Sequence, residues 1–151
     1  MSRQYNQDTT LLIAENLSDC IVYSVKNMPL TKNPTHIFEP TSLQCGQAVI
    51  AMLAGISVKE VIKLVKTDRE TTLKDMKSAL RALGIDICEE KKSVTKKEEL
   101  PEIAMLSLET PKCWHWSLYF GGKFFDPEFG VLDDFPICNR KFYWEIKSFE
   151  L

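Results

Sequence analysis

A change of hydrophobic period at Gly84 constrains this 151-residue chain more than any other feature. Before it the apolar residues recur at helical spacing, and after it they alternate as in strands. The helical side holds three segments. The first is "TSLQCGQAVIAML" (Thr41–Leu53), an apolar run that extends to Ala54 and stops at Gly55. The second opens with "SVKE", where Ser57 and Glu60 have the spacing of a capping box, and Val58, Val61, Ile62 and Val65 fall on one face. The third is "TLKDMKSALRALG", with Thr72 and Asp75 as another box, a stripe of Leu73, Met76, Leu80 and Leu83, and Gly84 as its stop.

The strand side comprises "IDIC" (Ile85–Cys88), "IAMLSL" (Ile103–Leu108), "CWHWSLYF" (Cys113–Phe120), "KFFD" (Lys123–Asp126) and "FYWEIKSF" (Phe142–Phe149). Gly121–Gly122 is a two-residue hairpin turn between the third and fourth of these. Lys91–Glu99 is charge-rich and predicts a solvated loop. Helices first and an antiparallel sheet second define an α+β fold, N-terminal helices packed on a C-terminal sheet. One domain is expected over 1–151, with an irregular arm at 1–38, a helical half at 39–84 and a sheet half at 85–151. At 44% hydrophobic residues the chain can fill one core.

Composition also excludes functions. A net charge of −2 gives no reason to expect nucleic acid or an anionic membrane. The longest mostly apolar stretch, Ala48–Val58, is about half a membrane span. The N-terminus lacks a secretory pattern, which predicts a cytoplasmic protein, or one exported without a cleavable signal if it is an effector. Five cysteines (Cys20, Cys45, Cys88, Cys113, Cys138) are an odd number at wide spacing, which predicts reduced thiols. Cys113 and His115 lack further ligands of metal-site spacing, since His36 is the other histidine, so no metal or other cofactor is expected. Cys20, Cys88 and Cys138 are expected to be buried or incidental, and His36 is unassigned.

Alternation along Cys113–Phe120 puts Trp114, Trp116, Leu118 and Phe120 on a core-facing side, and Cys113, His115, Ser117 and Tyr119 on a polar side. The turn at Gly121–Gly122 returns Asp126 level with or just past Ser117, near His115. An aspartate there can accept the ring N–H and fix the tautomer. Cys45 stands in the first turn of its helix, where unpaired backbone N–H groups and the helix dipole favour a thiolate. A histidine across a cleft would hold it as an ion pair, and the Cys45 N–H can donate to an oxyanion. Cys45, His115 and Asp126 thus form a nucleophile, base and orienter set.

Four stretches, "LQCGQAVIAMLAG", "SVKEVIKLV", "TLKDMKSALRALGI" and "WHWSLYFGGKFFDPEFG", together resemble the papain-like cysteine peptidases of the bacteriocin-processing (double-glycine leader peptidase) type. The small free-standing members are the most similar. The resemblance runs from about Phe38 to Gly130 and implies a papain-like fold with Cys45 as nucleophile, His115 as base and acid, and Asp126 as orienter. It implies attack on a peptide or side-chain amide through a thioester, with a protein or peptide as substrate. The family usually has a glutamine six residues before the cysteine as an oxyanion donor, and here that position is Glu39. An ionised carboxylate has no hydrogen to donate. Protonated Glu39, or a neighbour such as Gln44, Gln47 or Ser42, is the alternative donor. The scaffold also serves deamidases and transamidases of effector or toxin type, and a catalytically weakened binding module would keep the same fold.

Overall fold

The computed structural model describes residues 33–147. Three helices, α1 (Cys45–Ala54), α2 (Val58–Val65) and α3 (Leu73–Ala82), are followed by strands β1 (Asp86–Ile87), β2 (Lys92–Ser93), β3 (Ile103–Glu109), β4 (Trp114–Phe120), β5 (Lys123–Asp126), β6 (Gly130–Leu132) and β7 (Lys141–Lys147). The strands form one antiparallel sheet in the order β1-β7-β3-β4-β5-β6, with β2 also paired to β7. This is the α+β architecture expected from the change of period. The expected arm up to residue 32, with Cys20, and the last two residues of the expected final strand lie outside the described residues.

Local chemistry sets the helix ends. Ser57 Oγ accepts the Glu60 N–H at 3.1 Å, and the Glu60 carboxylate accepts the Ser57 N–H at 2.9 Å. Thr72 and Asp75 exchange the same two bonds at 3.1 and 3.0 Å. Gly55 closes α1 with φ of 71°, a left-handed conformation that costs glycine nothing. α1 is buried from Gly46 to Ala54, so it is the central helix, whereas α2 fully buries only Val61.

Both faces of the sheet are covered. Met105, Leu118, Phe120, Phe125, Trp144 and Ile146 pack with the helices. On the other face Leu106, Leu108, Tyr119, Phe124 and Tyr143 pack with Val94, and Leu132 and Phe135 lie against them. This corrects the expectation of a polar face on β4: the strand that contributes His115, Ser117 and Tyr119 is buried on that side too. Trp114 is also corrected, being 46% exposed at the strand start, stacked on Phe142 with the Arg140 guanidinium over its ring. Lys91–Glu99 is more ordered than a solvated loop. Val94 anchors it in the second core, and β2 and a 3₁₀ turn at Lys97–Glu99 flank that anchor.

The hairpin has the expected register. Gly121 and Gly122 both take positive φ, 56° and 93°, as a turn matched to strand twist requires. Phe120 then faces Lys123, and Leu118 faces Phe125. Pro127 has no N–H to continue the ladder, so β5 stops at Asp126. Among the described residues the β5 side of β4 therefore has no strand neighbour beyond Leu118, and the first residue of α1 meets β4 there.

Candidate active site

Cys45 lies at that vacated edge. The Trp116 N–H, freed from strand pairing, donates to Cys45 Sγ at 3.5 Å. The thiol thus sits beside β4 rather than above it and can reach a side chain on the far face. His115 is that side chain. One atom each from Glu39 (carboxylate O), Cys45 (Sγ) and His115 (ring N) lie within 4.8 Å of one another.

The residue after Cys45 is glycine for a steric reason. A Cβ on Gly46 would stand 2.0 Å from Thr71 Oγ1 and 2.9 Å from Met76 Sδ. Gln47, fully buried, straps the 67–71 segment to α1 by donating to the Thr67 and Arg69 carbonyls at 3.0 and 2.9 Å. The Trp116 indole donates to the Thr71 carbonyl at 3.2 Å. Helix, segment and strand therefore meet at Gly46, one residue from the thiol.

His115 is fixed from behind. Its Nε2 lies 2.9 Å from Asp126 Oδ1, which leaves Nδ1 for the thiol. Asp126 is saturated: Oδ1 also accepts the Glu128 and Phe129 N–H groups at 2.8 and 3.0 Å, and Oδ2 accepts Ser117 Oγ–H at 2.7 Å. Burial opposes the ionised Asp126 carboxyl, but bonds from His115, Ser117 and the Glu128 amide hold it below the ordinary aspartate range. Burial likewise opposes the charged imidazole. Its contacts with Asp126 and Cys45 outweigh that and lift His115 to about 10. At neutral pH the ring keeps both protons.

Glu39 stands on the segment before α1, its N–H donating to the Pro127 carbonyl at 2.8 Å. Its Oε1 is buried without a hydrogen-bond partner among the described residues. Burial pushes the carboxyl above its usual range, with Glu128 and Asp126 adding to the rise and His115 and Lys112 opposing it. Gln44 is turned elsewhere: its Nε2 donates to the Asp68 carbonyl at 3.0 Å, and it caps nothing in α1. Ser42 is exposed. Cys113 is exposed and Cys88 and Cys138 are half-buried.

Three contributors escaped the sequence reading. His36 Nε2 bonds the Asp126 backbone carbonyl at 2.7 Å. A carbonyl only accepts, so this nitrogen carries the hydrogen. Ser117 completes the Asp126 shell, and the hairpin count had already put the two level. Thr71 explains Gly46. Nothing in the sequence linked His36 or Thr71 to residues so far along the chain.

No protein-family model matches the sequence, and no curated protein matches it. Solved structures do. A double-glycine motif protease from an AMS/PCAT transporter, crystallised in complex with the leader peptide, superposes with a TM-score of 0.56 at 17% identity. The match covers 79% of this chain and 96% of that one. The two share a fold. That shared fold is the α+β arrangement of the papain-like peptidases, three helices packed against an antiparallel sheet. Among the described residues no helix is long and apolar enough to cross a membrane.

Proposed function

We propose that this chain is a cysteine-dependent hydrolase that attacks an amide carbonyl, with a peptide as the substrate class. The observation that carries the reading is that Cys45 Sγ lies within 4.8 Å of a His115 ring nitrogen while His115 Nε2 bonds Asp126 Oδ1 at 2.9 Å. Cys45 Sγ adds to the carbonyl carbon, and the negative charge moves to its oxygen. His115 gives its Nδ1 proton to the departing amine, leaving a thioester on Cys45. Neutral His115 then takes a proton from water, whose oxygen displaces the Cys45 thiolate and releases the acid, restoring the starting pair. Asp126, already saturated with donors, keeps the ring in orientation throughout.

For the oxyanion, the Cys45 N–H is one donor, since the first turn of a helix leaves its amides unpaired. The protonated Glu39 carboxyl is the second. Its buried, unpartnered oxygen and raised proton affinity suit a hydrogen donor, and its ionised form would repel the same charge. A peptide substrate is supported by a cleft of about 560 Å³ lined by Thr110, Lys112, Phe129, Phe135 and Ile137. Phe129 also meets the His115 ring edge-on. The leader peptide in the structural neighbour's complex supports the same class.

The test is thiol-selective labelling. Iodoacetamide at neutral pH is expected to alkylate Cys45 at least about tenfold faster than the exposed Cys113, because Cys45 stands at a helix N-terminus beside His115. Cys45→Ala is expected to remove turnover of a peptide library, by about 10⁴-fold or more, with the thermal midpoint unchanged. Equal labelling of all the thiols would overturn the reading. Intact-mass spectra of the products separate chain cleavage from side-chain deamidation.

A further inference from the structure

We propose that Glu39, Cys45 and His115 form a zinc site, in which a bound Zn²⁺ holds the nucleophile and the base in an inactive state. Each residue supplies one ligand atom, and the three atoms lie within 4.8 Å of one another. Zinc takes sulfur at about 2.3 Å and nitrogen or oxygen at about 2.0–2.2 Å, so tetrahedral geometry needs ligand atoms about 3.3–3.6 Å apart. The trio has to contract by about an ångström at its widest. Cys45 and Glu39, both half-buried, can supply that by rotation, whereas His115 is pinned.

The surroundings match what zinc asks of its ligands. A ligating histidine ordinarily gives its other N–H to a carboxylate, which orients the ring and raises its basicity. Here Asp126 accepts from Nε2 at 2.9 Å and leaves Nδ1 toward the thiol. Glu39 Oε1 is buried without a partner, an acceptor that a cation would satisfy. The mixed set of one thiolate, one imidazole and one carboxylate suits zinc and excludes magnesium or calcium, which want oxygen alone. The fourth position stays open to water. Binding displaces the Nδ1 proton and the Glu39 carboxyl proton to solvent, so that Glu39 turns from hydrogen donor to ligand, and it ties up both lone pairs that catalysis needs. Glu39 is the decisive member: a neutral amide there would leave only two good ligands.

Zinc binding itself does not depend on the hydrolase reading, while the inhibitory consequence rests on it. The experiment uses the full chain, stripped of metal, and measures Zn²⁺ affinity by competition with a chromophoric chelator. Co²⁺ absorption serves as a second readout. One equivalent is expected to bind, with a cobalt–thiolate charge-transfer band in the near ultraviolet. Glu39→Gln, nearly isosteric and checked for folding by circular dichroism, is expected to weaken zinc by about 100-fold or more. Cys45→Ala is expected to remove the charge-transfer band. Equal affinity in Glu39→Gln, or a band that survives in Cys45→Ala, would overturn the site. Tight zinc on a protein that hydrolyses nothing would keep the site and remove the hydrolase reading. Turnover unaffected by stoichiometric bound zinc would overturn the inhibition.

Discussion

The N-termini of α2 and α3 are closed, and that of α1 is open. In the two flanking helices Ser57 with Glu60, and Thr72 with Asp75, spend side-chain oxygens and backbone amides on each other. At α1 the capping position is Gln44, whose side chain accepts nothing from the helix and donates instead to Asp68. An uncapped helix end forgoes about 1 kcal/mol. Two helices of this small protein take that stabilisation and the central one does not. What α1 keeps is a set of N–H groups around Cys45 without partners among the described residues, available to a thiolate or an oxyanion. The closed ends serve the fold, and the open end is the one the proposed chemistry would draw on.

Glu39 gives the comparison its largest expected effect, because its carboxyl lies within 4.8 Å of Cys45 Sγ at the open end. Its proton affinity is raised first by burial. An acid raised in this way adds stability below its ordinary pKa near 4.5 and loses that contribution as pH climbs through the raised value. Activity follows the same sign if the protonated carboxyl is the oxyanion donor. Turnover of the zinc-free protein should fall as Glu39 ionises, while His115, lifted to about 10, still holds its proton. Glu39→Gln supplies a donor at every pH and is expected to exceed the parent in kcat/KM by about 10²-fold or more wherever the parent's carboxyl has ionised. A pH–rate profile of the two proteins checks this. A variant no faster than the parent at any pH on the falling limb would show that the open end works without a donor at position 39.

That asymmetry also explains what could be read from the sequence. Capping boxes are local, so Ser57, Glu60, Thr72 and Asp75 announce two helices within four residues each. The hairpin is equally local: with Gly121–Gly122 as the turn, counting brings Asp126 to the level of Ser117. The second buried face was hidden because its cover comes from Val94, Leu132 and Phe135, scattered through segments that look polar or irregular. The place of β7 between β1 and β3 was hidden because pairing between residues as far apart as Asp86 and Lys147, or Ala104 and Glu145, leaves no periodic trace. The reason for Gly46 was hidden because the atom that forbids a side chain there belongs to Thr71.

Gly46 is the next way to break the contrast, because it lets the open end of α1 seat against the segment that leads into closed α3. Gly46→Ala would push a methyl onto Thr71 Oγ1, which is buried and bonded to Met76 Sδ at 3.2 Å. Overpacking of this kind costs about 1–3 kcal/mol. The urea midpoint should drop accordingly, and Cys45 should lose its selective alkylation as α1 shifts off β4. The double variant Gly46→Ala/Thr71→Ala should recover part of the stability, since the two changes touch one another. Additive losses would mean that the close approach is not what fixes glycine here.

The smallest effects come from trading caps between the two kinds of helix end. Ser57→Ala and Thr72→Ala should each cost about 1 kcal/mol in urea unfolding and leave the alkylation rate of Cys45 unchanged. Gln44→Ser works in the opposite direction. A serine at the capping position can accept a first-turn N–H, but the replacement also gives up the 3.0 Å bond to the Asp68 carbonyl. The two changes nearly offset, so the urea midpoint should barely move. The thiol should feel the difference. Spending one first-turn amide on a serine oxygen removes about 0.3–1 kcal/mol of favourable interaction with a neighbouring anion, which is a two- to fivefold slower alkylation at neutral pH. If Gln44→Ser alkylates as fast as the parent, the unpaired amides of α1 contribute nothing to the thiolate, and Cys45 owes its reactivity to His115 alone.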